Sequence, residues 1–226
     1  MTAATARQPI PTATWELVAR AFFEPLRGLG FGIAASQGDK HGTSNDFLPR
    51  YRTPGQATFF SYRSDVAADG EHLRVSPQAY WYAGRFGVLA EYIVSRQEVV
   101  RADARDRLDH RAWQVSTSFA LTGEDVGWQG ILVPNRPFST GEGGWGAFEL
   151  VARYGHLDID GHAFPIYANP LTAAAGAQGW GIGFNWYLSP HFKLVADYVR
   201  TRFDSAPDGF QREDEDMLLT RAQFSF

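Results

Sequence analysis

The ionisable side chains with the most regular placement are Glu16, Arg20, Arg63, Arg74, Glu91, Glu149, Arg153, Lys193, Asp197 and Arg221, which recur at alternate positions within otherwise apolar segments. Arginine pairs bidentately with phosphate or carboxylate oxygens, so six basic residues (Arg20, Arg63, Arg74, Arg153, Lys193, Arg221) against four acidic ones on one surface favour anions mildly. The competing reading is that arginine and glutamate on neighbouring strands pair with each other and only hold a wall together. Gln78, Gln114 and Asn185 add neutral hydrogen-bonding groups to the same set.

Other constellations carry less chemistry. Catalysis needs a nucleophile with its base, or carboxylates at a fixed separation. Nothing here singles out either, so no enzymatic activity is expected. The alternative from another class is a soluble β-sandwich: a glycoside hydrolase using Glu91 and Glu149, or a carbohydrate-binding module stacking sugar on Trp145, Trp180 or Trp186. The acidic run Glu213 to Asp216 offers oxygens to a divalent cation, as where lipopolysaccharide is bridged, and is otherwise a solvated loop. Asp158-Ile-Asp-Gly161 opens like a calcium loop, lacks the remainder of that pattern and reads as a turn. The six histidines show no ligand spacing, and Gly141 to Gly146 lacks the Lys-Ser/Thr of a phosphate-cradling loop. No metal and no cofactor are expected.

The elements that must position these residues are strands. At the C-terminus Leu218, Thr220, Ala222, Phe224 and Phe226 oppose Met217, Leu219, Arg221, Gln223 and Ser225. Phe192, Leu194, Ala196 and Tyr198 repeat the scheme against Lys193, Val195, Asp197 and Val199, and Trp180, Ile182, Phe184, Trp186 and Leu188 repeat it again. Period-two alternation continues upstream through 148–154, 113–121, 86–94 and 73–81, with weaker strands over 15–23, 28–36 and 56–64. The total is about ten strands in an up-and-down meander. Their length and the aromatics at their ends suit a transmembrane antiparallel β-barrel, in which Trp and Tyr sit at headgroup level. Links at 83–85 and 189–191 are short, whereas 98–109, 158–176 and 204–213 are long and polar. Two further long links, 37–55 and 122–144, fall where simple counting expects short periplasmic turns.

Composition agrees with this reading. Aromatics make up 15 % of the 226 residues, cysteine is absent and the net charge is −4. Disulfide and thiolate chemistry are excluded, and nucleic acid, which needs clustered Lys and Arg, is not an expected partner. No stretch reaches the roughly 20 apolar residues of a spanning helix, but a barrel strand needs only about 9 to 11, with alternate ones facing lipid. A mean hydropathy of −0.28 therefore fits a barrel as well as a soluble chain. Met1 to Thr14 carries no basic segment followed by an apolar one, so the expectation is a mature or truncated exported chain.

Several motifs occur in a familiar order: Leu48-Pro-Arg-Tyr-Arg-Thr-Pro-Gly-Gln-Ala-Thr-Phe-Phe60, Leu121-Thr-Gly-Glu124, Gly143-Gly-Trp-Gly-Ala-Phe-Glu-Leu-Val-Ala-Arg-Tyr154, Gly183-Phe-Asn-Trp-Tyr-Leu188 and Glu213-Asp-Glu-Asp216. Together they resemble the phosphate-selective porins of the O and P type, over nearly the whole chain. The resemblance implies trimeric barrels of about 16 strands, of which residues 1–226 would form the C-terminal part of a single β-barrel domain, without about six N-terminal strands. It also implies a bacterial outer-membrane porin for passive diffusion of small hydrophilic solutes, with small anions such as phosphate among them. The expected partners are outer-membrane lipid, lipopolysaccharide, and either two further copies of the chain or another chain that completes the barrel. The family's arginine ladder and lysine clusters depend on a constriction loop in its N-terminal half, so those residues are not carried over. In such proteins a terminal aromatic like Phe226 is the signal read by the barrel-assembly machinery.

Overall fold

The computed structural model describes residues 15–43, 47–207, 209 and 211–225. The readings of Met1 to Thr14 and of Phe226 lie outside those residues. Where side chains alternate between apolar and polar, the pleat sends them to opposite faces. Nine such strands form one sheet: β1 (Glu16–Leu26), β2 (Leu29–Gly42), β5 (Ala67–Ala83), β6 (Phe86–Arg101), β7 (Ala104–Ala120), β8 (Ala147–Asp158), β9 (Gly176–Ser189), β10 (Phe192–Asp204) and β11 (Glu215–Phe224). Each is antiparallel to its neighbours in an unbroken meander. A separate two-stranded hairpin, β3 (Tyr51–Arg52) with β4 (Thr58–Phe60), lies between β2 and β5.

One face of the sheet is apolar and uncovered. Register places Tyr92, Trp113, Tyr154, Trp180 and Tyr198 towards one end of it. Trp81, Phe86, Phe119, Phe148, Trp186, Phe192 and Phe224 lie towards the other. Between them lie Ala, Val, Leu and Ile, with Leu17 at 67 % and Leu218 at 71 % exposure. An apolar band flanked by aromatic girdles has lipid as its natural solvent. A β-sandwich would instead bury this face under a second layer about 10 Å away, so the single sheet argues against the sandwich alternative.

Three details correct the sequence reading. Residues 56–64 are not a wall strand: Phe59 and Phe60 are adjacent and both buried, so this segment cannot give one face to lipid. The wall therefore has nine strands among the described residues. Removing 56–64 from the wall also moves the long link, now 43–66, to the end of the sheet that carries 159–175 and 205–214, and the misplacement of 37–55 disappears. Residues 98–109 are not a loop either, because β6 and β7 continue through them to a tight turn at Ala102-Asp103. The segment 121–146 does remain at the end of the short turns 27–28, 84–85 and 190–191. At the first of these turns Gly28 has φ +81, and a Cβ there would meet Tyr82 O at 2.2 Å.

The buried cores are small and lie on the charged side of the sheet, at its two ends. At one end Leu48, Phe59, Phe60, Val66, Tyr167 and Phe203 gather the loops against Val99 and Leu108. At the other, Val126 and Ile131 pack on Ala120, Ala147 and Tyr187.

Candidate functional site on the inner face

Register brings Arg20, Arg74, Glu91, Glu149, Arg153, Lys193, Asp197 and Arg221 onto the face opposite the aromatic girdles. They form three groups along the strands. Near the long-loop end, Glu16 pairs with Arg74 and with Lys40 at 3.3 Å, while Arg74 Nε donates to Ser36 Oγ at 3.0 Å. In the middle, Glu91 accepts from Ser76 Oγ at 2.8 Å and Gln114 Nε2 at 2.9 Å, and Arg153 and Asp197 flank β9. At the short-turn end the buried Glu149 accepts from Asn185 Nδ2 at 2.8 Å and Tyr187 Oη at 2.7 Å, with Lys193 Nζ 5.2 Å from the Tyr187 ring centre. These two hydrogen bonds anchor the Glu149 side chain within the wall.

Arg63 is placed differently. It lies beyond β4, off the wall, where its guanidinium donates to Pro165 O at 3.2 and 3.0 Å and ties segment 43–66 to segment 159–175. Residues 47–66 fold across the inner face. Thr53 Oγ1 donates to Glu215 Oε1 at 2.9 Å on β11, Arg212 donates to Thr58 O at 2.8 Å, and Phe59 stands 5.8 Å from Phe203 on β10. On the near side Tyr62 Oη bonds His110 Nε2 at 2.7 Å, and Tyr51 packs edge-on against the same imidazole at 5.6 Å. An inward-folded segment is thus part of this chain, separate from the constriction loop that the family resemblance implies for the N-terminal half.

The hairpin divides the inner face into two clefts. One, of about 500 Å³, is lined by Arg52, Glu91, Arg153 and Asp197; the other, of about 360 Å³, by Lys40, Tyr51, His72 and Arg74. Tyr51 and Arg52 point to opposite sides, making β3 the partition. Lys40 and Arg52 were missed by the alternation pattern, and only the Pro54-Gly55 turn signal marked a hairpin nearby. They enlarge the basic set, while Glu24 and Glu215 enlarge the acidic one, so the wall is of mixed sign.

The remaining motifs are structural. Asp214 pairs with Arg200 at 3.0 Å and Arg202 at 3.4 Å, and Asp216 accepts from Tyr198 Oη at 2.6 Å, so these carboxylates of the acidic run are already engaged. No cluster suited to a metal ion occurs among the described residues. Asp160 caps a short 3-10 turn (Gly161–Ala163) by accepting from His162 N. Glu91 and Glu149 cannot act as a glycosidase pair. Gln114 aligns Glu91 with Gly155, six residues along β8 from Glu149, or about 20 Å at strand rise, against the roughly 5 to 10 Å that such chemistry uses.

Comparison with known proteins agrees with this geometry. The family profile described as "Phosphate-selective porin O and P" matches residues 11–226. A protein named "Porin O" from Pseudomonas aeruginosa is 25 % identical over 208 residues, covering 86 % of this chain and 43 % of that protein. The chain thus spans less than half the length of the relative it matches. With a lipid-compatible face, a charged face and this match over nearly its whole length, the chain belongs to the phosphate-selective porin O and P family of the bacterial outer membrane.

Proposed function

We propose that the chain forms the C-terminal part of a channel wall through which small hydrophilic solutes diffuse passively, with a mild preference for anions such as phosphate. The observation that carries this reading is the division of one sheet into an apolar, girdled outer face and an inner face of mixed charge, where Arg20, Arg74, Arg153, Lys193 and Arg221, joined by Lys40 and Arg52, stand among Glu16, Glu24, Glu91, Glu149, Asp197 and Glu215. A channel reading assigns every one of these residues a place without invoking catalysis, and basic walls concentrate anions.

The same reading requires a complement for the wall. Nine antiparallel strands leave β1 and β11 running in the same direction. Unpaired edge amides in hydrocarbon are costly, so both edges must be paired. Direct β1–β11 pairing would be parallel, whereas an odd number of added strands closes the wall with antiparallel pairs throughout. Seven further strands meet that condition and reach the even count of about 16 implied by the family resemblance. The full-length protein in this reading is a single barrel domain assembled as a homotrimer, with lipid and lipopolysaccharide against its girdles. Single-channel recording of the full-length protein in planar bilayers tests it: discrete conductance with a reversal potential displaced towards the anion in a KCl gradient is expected. Absence of pores would overturn the channel, and a cation preference would overturn the anion preference.

A further inference from the structure

The larger cleft is unusual for the wall of a water-filled passage. Alternation should make the inner face polar, yet Pro54, Phe59, Ile93, Val151, Val199 and Leu219 line this space together. At about 500 Å³ it falls in the range of sites for organic ligands, and it offers far more room than the five heavy atoms of inorganic phosphate fill. Its depth comes from β9, where Gly179, Gly181 and Gly183 all face inward beside Gly155 of β8. At Gly179 packing does not demand glycine: a Cβ there would meet nothing closer than 3.7 Å, so a larger side chain would enter the cleft without displacing backbone. Gly183 has a different role. Asp197 lies over it so closely that a Cβ would stand 2.1 Å from Oδ1.

Charges of both signs frame this apolar floor. Arg153 on β8 is cross-strand to Gly181, and Asp197 on β10 is cross-strand to Gly183. They stand two strands apart, about 10 Å across the sheet. Arg52 adds a second cation from the hairpin, and Glu91 is already occupied by Ser76 and Gln114. An inorganic anion would gain from the arginines, meet Asp197 and leave the apolar surface wetted. A solute with a carboxylate, an ammonium and an apolar body satisfies all three.

We infer that this cleft is a binding subsite for zwitterionic organic solutes with an apolar body, the class of the apolar amino acids. The carboxylate faces Arg153 and Arg52, the ammonium faces Asp197, and the body covers Phe59 and Val199. The inference rests on the channel reading above and adds to its small anions a second, net-neutral solute class held at this one cleft.

The test is block of single-channel current in the full-length protein by four probes: L-phenylalanine, 3-phenylpropionate, 2-phenylethylamine and inorganic phosphate. L-Phenylalanine is expected to half-block at a concentration roughly tenfold below 3-phenylpropionate and 2-phenylethylamine, while block by phosphate is expected to be indifferent to changes in the cleft. Gly179→Leu should abolish that advantage by filling the cleft. Asp197→Asn, which keeps the shape, should bring L-phenylalanine to the level of 3-phenylpropionate. Equal or stronger block by 3-phenylpropionate in the unmodified protein overturns the inference, as does phenylalanine block unchanged by Gly179→Leu or phosphate block lost together with it in that variant. If conducting pores show neither pattern, the subsite is wrong and the channel stands; if no pores form, both fail.

Discussion

Two long connections at opposite ends of the sheet, 43–66 and 121–146, meet the same problem and solve it differently. The first turns its aromatics inward. Phe59, Phe60, Tyr51 and Tyr62 pack on His110, Phe164 and Phe203, and hydrogen bonds reach β7 and β11. The second straddles the rim. Val126 and Ile131 rest inside on Tyr187, and Phe138 stands edge-on to Trp186 on the outer face at 5.7 Å, while Trp128, Leu132 and Val133 stay exposed. A connection that buries its aromatics against several strands becomes part of the fixed shape of the inner face; one that buries few remains an appendage at the sheet's end.

The comparison breaks most sharply at Phe60, which is fully buried. Phe60→Ala should cost about 3–5 kcal/mol of the packing that holds the hairpin against the wall. Proteolysis within 43–66 and a raised, noisier conductance would report the loss, whereas unchanged conductance would deny the hairpin a place in the channel. At the other end Tyr187→Phe removes one of two side-chain donors to the buried Glu149. A lost hydrogen bond to a charged group is worth about 1.5–3 kcal/mol, and the thermal unfolding midpoint in detergent should fall accordingly. Trp128→Ala, at 75 % exposure, should leave that midpoint nearly unchanged.

Acid should have the smallest effect and, of the two connections, reach the first. The Arg101 guanidinium, 2.9 Å from Asp65, holds that carboxyl below the usual carboxylate range. Because the folded-state value is depressed, the tether is fully present above the ordinary aspartate range and is lost as pH falls through the lowered value. Protease sensitivity of 43–66 should rise slightly at such acid pH in the parent protein and not in Asp65→Asn.

What was legible in the sequence follows from which solvents a segment separates. In 86–94 and 192–199 one face is uniformly apolar and aromatic while Glu91, Lys193 and Asp197 mark the other, so both strand and facing are legible. Alternation failed where that contrast ends. β2 continues to Gly42 and β6 and β7 run through 98–109 with polar residues on both faces, so the pattern vanished there although the strands persist, and Lys40 was overlooked. At 56–64 the aromatics mimicked a lipid face, whereas their partners are Tyr167, Phe203 and His110, far away in sequence. Arg63 was misplaced and Arg52 missed for that reason. The clefts depend on the hairpin crossing the sheet, a long-range packing event that no local period encodes.

The central claim is that one face of the sheet meets lipid and the other meets water. These 226 residues contain no cysteine, so a thiol introduced among them is read in the full-length protein with any cysteine elsewhere replaced by serine. Arg153→Cys and Leu150→Cys lie on adjacent pleats of β8 with opposite facing. In lipid vesicles, a charged, membrane-impermeant thiol reagent should modify the cysteine at 153 rapidly and leave the one at 150 unreacted until detergent is added. Equal rates at both positions, or the reverse order, would contradict the account.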